Sequence, residues 1–389
     1  MFEKLNTRIE PNMRKTAKIT VAGAGFAALT GIRELRKRLP DADITLVAPK
    51  PEFVYLPSLI WVPYGLRKGK DLVYDIMPLL KKLDVSYVQG SVSGISEDGR
   101  TLQTTAHDIE NDTLLIATGG RYIKKLPGIG NAITICEGVE AAEKMRDRLQ
   151  EMDGGTIAMG FGGNPREPAA MRGGPMFELL FGLETWLRQQ GTRNRFRLIF
   201  FSPAPQPGKR LGMKAVSKLL NEMDKRGIEP HLGHKIKSFE NHVVATEGGE
   251  FAADLIMFMP GMTGPAWVQD SPLPLSPGGM IKADAMTRVA GMEGVFVAGD
   301  GGSFPGPDWM PKQAHMADLQ AVAAARNMAL YLDGKPAAHK FKVELLCIID
   351  TLDRGMLVYR GEKRSLALPS MRSLHWAKRY FEKAYLRHL

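Results

Sequence analysis

The sequence predicts an α/β chain with two Rossmann-like dinucleotide-binding domains and a C-terminal helical segment. Three observations carry that prediction. First, Lys18–Ile19–Thr20–Val21–Ala22 enters the turn Gly23–Ala24–Gly25–Phe26–Ala27–Ala28, and an amphipathic helix over Thr30 to Leu39 follows. Second, a hydrophobic strand ends in Ala117–Thr118–Gly119, and a later one, Val295–Phe296–Val297–Ala298, ends in Gly299–Asp300. Third, Thr156–Ile157–Ala158–Met159 opens another strand–turn–helix through Gly160–Phe161–Gly162.

The first turn has the order that a bound pyrophosphate requires. Gly23 permits the tight bend, and Gly25 lets the backbone approach phosphate without a Cβ in the way. Ala28 allows close packing of helix on strand, and the free N–H groups of the helix start face the anion. Ile44–Thr45–Leu46–Val47 supplies the second strand at the expected distance. The acidic residue that commonly ends that strand and holds a ribose hydroxyl is absent from Val47–Ala48–Pro49–Lys50. Either Glu52 substitutes for it or the ribose is held otherwise.

The aromatic, proline-broken segment Phe53 to Pro63, with Pro57 at its centre, reads either as a buried loop or as the wall of a flat ring system. A helix over Asp71 to Leu83 and a strand over Val85 to Val88 follow, then two strands around Glu97–Asp98–Gly99–Arg100. The backbone at Ala117, Thr118 and Gly119 is a second place able to pass close to the same nucleotide. In the second half, Gly160 and Gly162 are followed at once by Pro165, so the helix is delayed to about Pro175–Glu178. A pyrophosphate cradle needs the helix to begin at the glycines, so this half reads as a Rossmann unit whose nucleotide site has been rebuilt. Strands at 197–202 and 255–259 and a helix over Met213 to Arg226 complete it.

Gly299–Asp300 places a carboxylate where a ribityl hydroxyl can donate to it. The helix from Gln313 to Tyr331 starts just beyond, after Pro311–Lys312. Its positive end suits the carbonyl side of a flavin ring, with Lys312 beside it. His315 and Arg172 read either as site residues or as structural ones. The last stretch, Met371 to Leu389, places Leu374, Trp376, Ala377, Tyr380, Phe381, Ala384 and Tyr385 on one helical stripe and Lys378, Arg379, Glu382, Lys383 and Arg387 on the other face. That pattern fits a helix lying in a membrane interface or one packed on the protein's own surface.

Bulk properties narrow the classes. The 389 residues and 44% hydrophobic content support two domains plus an appendage. The net charge of +10 favours phosphates or acidic lipid head groups, and the absence of a basic run interleaved with aromatics argues against nucleic acid. Two cysteines, Cys136 and Cys347, are too few for a disulfide scaffold. They are either buried thiols or chemically used ones. No apolar run reaches the ~18 residues of a bilayer span. The polar stretch Met1 to Lys18 lacks the apolar core of a secretory signal, which predicts a cytoplasmic location. The expected organisation is a leader at 1–17, a first dinucleotide-binding part at 18–150, a second Rossmann-like domain at 151–285, the return of the first domain at 286–340 and a C-terminal region at 341–389.

Taken together, Gly23-Ala-Gly-Phe-Ala-Ala, Ala117-Thr-Gly and Ala298-Gly-Asp resemble the two-dinucleotide-binding-domain flavoproteins of the disulfide reductase superfamily, with their glutathione-reductase-like FAD/NAD(P)-binding fold. More narrowly, the chain resembles the sulfide:quinone oxidoreductase family through Phe53-Val-Tyr-Leu-Pro-Ser-Leu-Ile-Trp-Val, Ile135-Cys-Glu-Gly-Val-Glu, Pro311-Lys-Gln, Cys347-Ile-Ile-Asp and Leu374-His-Trp-Ala-Lys-Arg-Tyr-Phe. The resemblance implies FAD held by Gly23, Gly25, Phe26, Ala27, Pro57, Ala117, Thr118, Gly119, Gly299, Asp300 and Lys312. It also implies peripheral attachment to the cytoplasmic face of a membrane through residues 371–389, and a quinone pocket near the C-terminal helices.

Family members carry a redox cysteine in the turn after the first strand of the second half, and Gly160–Asn164 holds no thiol. Cys347 and Cys136 match the other two family cysteines. With Lys312 they are the candidate catalytic residues, Cys347 first. The expected function is electron transfer from sulfide or a related sulfur species through flavin to a membrane quinone. The alternatives are a type II NADH:quinone oxidoreductase, and a flavin-binding protein that has lost sulfide turnover. A homo-oligomer is compatible with the sequence.

Overall fold

A computed structural model describes residues 16–387 and Leu389, so nearly all of the expected leader lies outside the described residues. Two five-stranded parallel sheets carry the chain. The first runs, in spatial order, Val295–Val297, Thr113–Ile116, Lys18–Ala22, Asp43–Ala48 and Val85–Gln89. The second runs Ala132–Ile133, Leu255–Met259, Gly155–Phe161, Phe196–Ser202 and Ile228–Leu232. Both central strands are buried on both faces, which is why Ile19, Val21, Ile157 and Met159 sit in near-continuous apolar runs without strict alternation.

The helices are α1 (Phe26–Arg38), α2 (Met77–Lys82), α3 (Val139–Gln150), α4 (Gly174–Gln189), α5 (Met213–Lys225), α6 (Ala314–Leu332) and α7 (Arg372–Leu386). α1 begins at Phe26, four residues before the expected Thr30, because Gly25 is already its N-cap. Its buried face, Ala27, Ala28, Leu29, Ile32 and Leu35, packs on α6 through small residues such as Ala321 and Ala325.

The helix expected over Asp71 to Leu83 is a correction. Only α2 is α-helical there. Gly69–Leu72 is a 3-10 turn, and Val73–Asp75 is a strand paired antiparallel with Glu52–Val54. Pro78 suits only a first helical turn, and the Asp75 carboxylate accepts the Met77 N–H at 2.9 Å, so the helix starts there. Glu52 lies on that edge pair, exposed, with Lys50 3.9 Å away.

After α6 a three-stranded antiparallel sheet forms from Glu344–Asp350, Gly355–Gly361 and Ser365–Ala367, and α7 closes the chain against it. The two faces of α7 differ from the sequence pattern. Trp376, Tyr380 and Phe381 of the aromatic stripe are 62%, 63% and 59% exposed. From the charged face, Glu382 turns inward to Arg67 (2.6 Å) and Lys378 turns inward to the buried Glu178. His375 turns inward with them and meets the Asp350 carboxylate at 2.8 Å. Of the stripe, Tyr385 points in and packs on Phe26, Phe53 and Tyr55 at 5.2, 6.0 and 5.8 Å. Specific ion pairs with distant segments, rather than burial of the helix's apolar side, set its orientation.

Candidate active site

The first sheet's order brings three signatures to one edge. Strands Lys18–Ala22, Thr113–Ile116 and Val295–Val297 are adjacent and parallel, so Gly23, Ala117 and Asp300 all emerge at their C-terminal ends. Ligands bind at that edge of open α/β sheets. Gly23 has φ +115°, and a Cβ there would meet the Ala117 carbonyl oxygen at 2.3 Å. Gly25 has open space beyond its Cα, and no side chain caps the first turn of α1. The N–H groups of Phe26, Ala27 and Ala28 therefore face a vacant approach, as a pyrophosphate cradle requires.

At the far end of the groove, Gly299 donates its N–H to Gln320 of α6 at 2.8 Å. Asp300 stands at the start of a small pocket lined by Phe304, Met310, Lys312, Met316 and Gln320. The Gln313 Nε2 and Tyr122 hydroxyl are buried without hydrogen-bond partners. Backbone donors at one end, a carboxylate midway and unpaired donors beside a helix start fit a flavin dinucleotide. Thr118 continues the edge and accepts from Trp267 at 3.4 Å. Pro57 lies in the 3-10 turn Leu56–Trp61, which packs against α4 and the turn holding Cys136.

The second sheet ends differently. Between Phe161 and Gly174, residues 162–173 form a loop fastened to the first half. Asn164 donates to the Met262 and Gly278 carbonyls at 2.9 and 3.0 Å, and Ser303 donates to Glu167 at 3.0 Å. Arg210 donates to the Ala169 and Met171 carbonyls, both at 3.3 Å. Arg172 reaches furthest, with its guanidinium on the Asp300 carboxylate and its Nε 3.2 Å from the Lys312 carbonyl. α4 therefore begins away from the glycines, and its N-terminus cannot serve a pyrophosphate at Gly160–Gly162.

The electrostatics of this junction are set by burial. Burial acts to discharge Arg172, but the Asp300 carboxylate outweighs it and holds the guanidinium charged. Lys312 donates to the Gly302 carbonyl, and burial lowers its ammonium to about 8 despite Asp300 and Glu167. Burial pushes the Cys136 thiol up, partly offset by Arg172. It pushes Cys347 up to about 12, with the Glu178 carboxylate adding to the rise. Neither thiol is a ready thiolate in this environment. Both are free, both pack on the same apolar cluster, and the Glu178 charge acts on both.

Behind Cys347 lies a polar chain that sequence reading missed. Glu178 on α4 is 6% exposed, accepts the Asp350 N–H at 2.9 Å and pairs with Lys378. Asp350 also accepts from Trp61 Nε1 at 3.0 Å and bonds His375. A lone glutamate in the apolar run Met176–Phe177–Glu178–Leu179–Leu180 is the sequence signal that could have found it. Of the two undecided residues, Arg172 stands within the junction, and His315 is held by Glu344 at 2.8 Å.

The sequence profile of a family described as pyridine nucleotide-disulphide oxidoreductase matches residues 17–321. A sulfide-quinone reductase of Aquifex aeolicus is 25% identical, covering 95% of this chain and 90% of that protein. A type II NADH:quinone oxidoreductase of Staphylococcus saprophyticus is 21% identical over 94% of this chain and 93% of its own. The crystal structure of the sulfide:quinone oxidoreductase from Aquifex aeolicus superposes with a TM-score of 0.88 at 24% identity, covering 95% of this chain and 91% of that one.

Proposed function

The chain belongs to the pyridine nucleotide-disulphide oxidoreductase family and is an FAD-dependent oxidoreductase, and on that premise we propose that it passes electrons from sulfide or a related sulfur species to a membrane quinone. FAD supplies two-electron acceptance from the donor and delivery to the quinone. The Gly23–Ala27 turn and the Ala117–Gly119 edge hold the dinucleotide, Pro57 belongs to the segment walling the ring, and Gly299, Asp300 and Lys312 hold the ribityl and ring end. Cys347 and Cys136 handle sulfur on the side of α4. Because burial keeps both as thiols, the arriving donor has to displace or accept a proton there, and the Glu178–Lys378 pair next to Cys347 is placed to exchange it.

One observation carries the choice of donor. Loop 162–173 is folded onto Asp300 and Lys312 where a nicotinamide dinucleotide would need a helix starting at the glycines. The second reading, NADH as donor, is favoured by the Staphylococcus relative's name and opposed by that loop.

Among the described residues, no helix is long and apolar enough to cross a membrane. The exposed Trp376, Tyr380 and Phe381, with Arg379 stacked 4.7 Å over the Trp376 ring, support docking of α7 in an anionic interface, from the cytoplasmic side. Steady-state quinone reduction with each donor tests the reading. Sulfide is expected to support turnover and NADH to give none. NADH-driven turnover at or above the sulfide rate would overturn it.

A further inference from the structure

The junction of loop 162–173 with the Asp300 turn is unusual for the charge that it gathers. Arg172, Lys312 and Arg210 reach it from a loop, a helix start and a 3-10 turn, and the carboxylates of Asp300 and Glu167 face them. Around Arg210, Arg360 and Asp308 add one charge of each sign. The cluster therefore holds one more positive charge than negative. Its donors are also incompletely used. Arg210 Nε, Gln313 Nε2 and the Tyr122 hydroxyl are buried without partners, and the Tyr122 hydroxyl faces both Arg172 and Cys136. Buried donors left unpaired cost free energy comparable to a lost hydrogen bond. A surplus cation among unpaired donors is the complement of a small anion. Phe304, Met310 and Met316 supply apolar walls, which disfavour a strongly hydrated anion.

We propose that Arg172, with Lys312 and Tyr122, forms an anion-selecting position that admits the electron donor as a small monovalent sulfur anion such as hydrosulfide. The identity of the anion rests on the sulfur-donor reading, whereas the anion site itself does not. Arg172 is here a positioning residue. Its guanidinium, fixed by Asp300 and the Lys312 carbonyl, leaves outward N–H groups toward Tyr122 and Cys136. An anion seated there lies beside a thiol without requiring that thiol to ionise first.

Titration calorimetry of the flavin-loaded protein with thiocyanate, a non-reducing monovalent anion, tests this. R172M is expected to weaken binding by about tenfold to a hundredfold, the worth of a charge-assisted hydrogen bond, and R172K to retain most of it. Wild-type protein is expected to bind thiocyanate and to ignore acetonitrile, a neutral rod of similar size. That arm decides the matter if R172M does not fold. Equal affinity in R172M and wild type, or equal affinity of wild type for the two rods, would overturn the proposal. Thiocyanate binding through Arg172 in a protein whose flavin sulfide leaves oxidised would sink the sulfide reading while keeping the site.

Discussion

Replacing Lys378 by Met exposes how strongly the C-terminal helix is tied to the centre of the molecule. Lys378 is the cation facing Glu178, whose side chain is 6% exposed. Burial holds the Glu178 carboxyl above its usual range, and Lys378 is the largest influence pulling it back down. For Lys378, burial works against the charge, but Glu178 and then Asp350 leave it raised. Removing one partner of a buried pair costs about 3–5 kcal/mol, because the remaining charge is uncompensated. Without the lysine the Glu178 pKa moves further up. A carboxyl raised in the folded state lends stability that is full below its unfolded value of about 4.3 and is lost as pH rises through the folded value. The deficit of K378M against wild type is therefore expected to be small near pH 5 and to reach the full figure by pH 8, in urea titrations followed by circular dichroism. E178Q/K378M is expected to recover most of the loss at pH 8. A deficit that does not change between these pH values, or a double variant as unstable as K378M, would refute the reasoning.

Other perturbations probe the remaining links. With its thiol pushed up to about 12, Cys347 should be alkylated by iodoacetamide about tenfold faster per pH unit from 7 to 10, and a plateau by pH 8 would contradict its burial. The triple variant W376A/Y380A/F381A should lose sedimentation with phosphatidylglycerol vesicles while its melting stays close to wild type, since the three rings are exposed. Gly23→Ala sets a Cβ 2.3 Å from the Ala117 carbonyl at φ +115°, which should cost about 3 kcal/mol and strip FAD on gel filtration. Retention of yellow colour by that variant would count against the groove.

The sheets and the glycine turns were legible because their signals are local: β-branched runs, Gly-x-Gly spacing and a strand ending in Gly-Asp. The delayed helix of the second half was legible for the same reason, since Pro165 and Gly173–Gly174–Pro175 forbid an early start. What the sequence hid depended on contacts between distant residues. The inward turn of Lys378 and Glu382 is decided by partners at Glu178 and Arg67, far away in the chain. The role of Arg172 depends on how loop 162–173 is pinned by Asn164, Glu167 and Arg210, none of which forms a recognisable spacing. The stretch Asp71–Asp75 looked helical, but Val73 and Tyr74 found a strand partner in Glu52–Val54.

The closure of the second nucleotide site by loop 162–173 is the claim on which the choice of donor rests. Anaerobic stopped-flow recording of the flavin absorbance at about 450 nm addresses it with a single enzyme preparation and two reductants. Rapid bleaching by sulfide, with NADH leaving the oxidised spectrum unchanged over the same seconds, is the predicted result. Rapid bleaching by NADH would show the loop to be no barrier and would contradict the account.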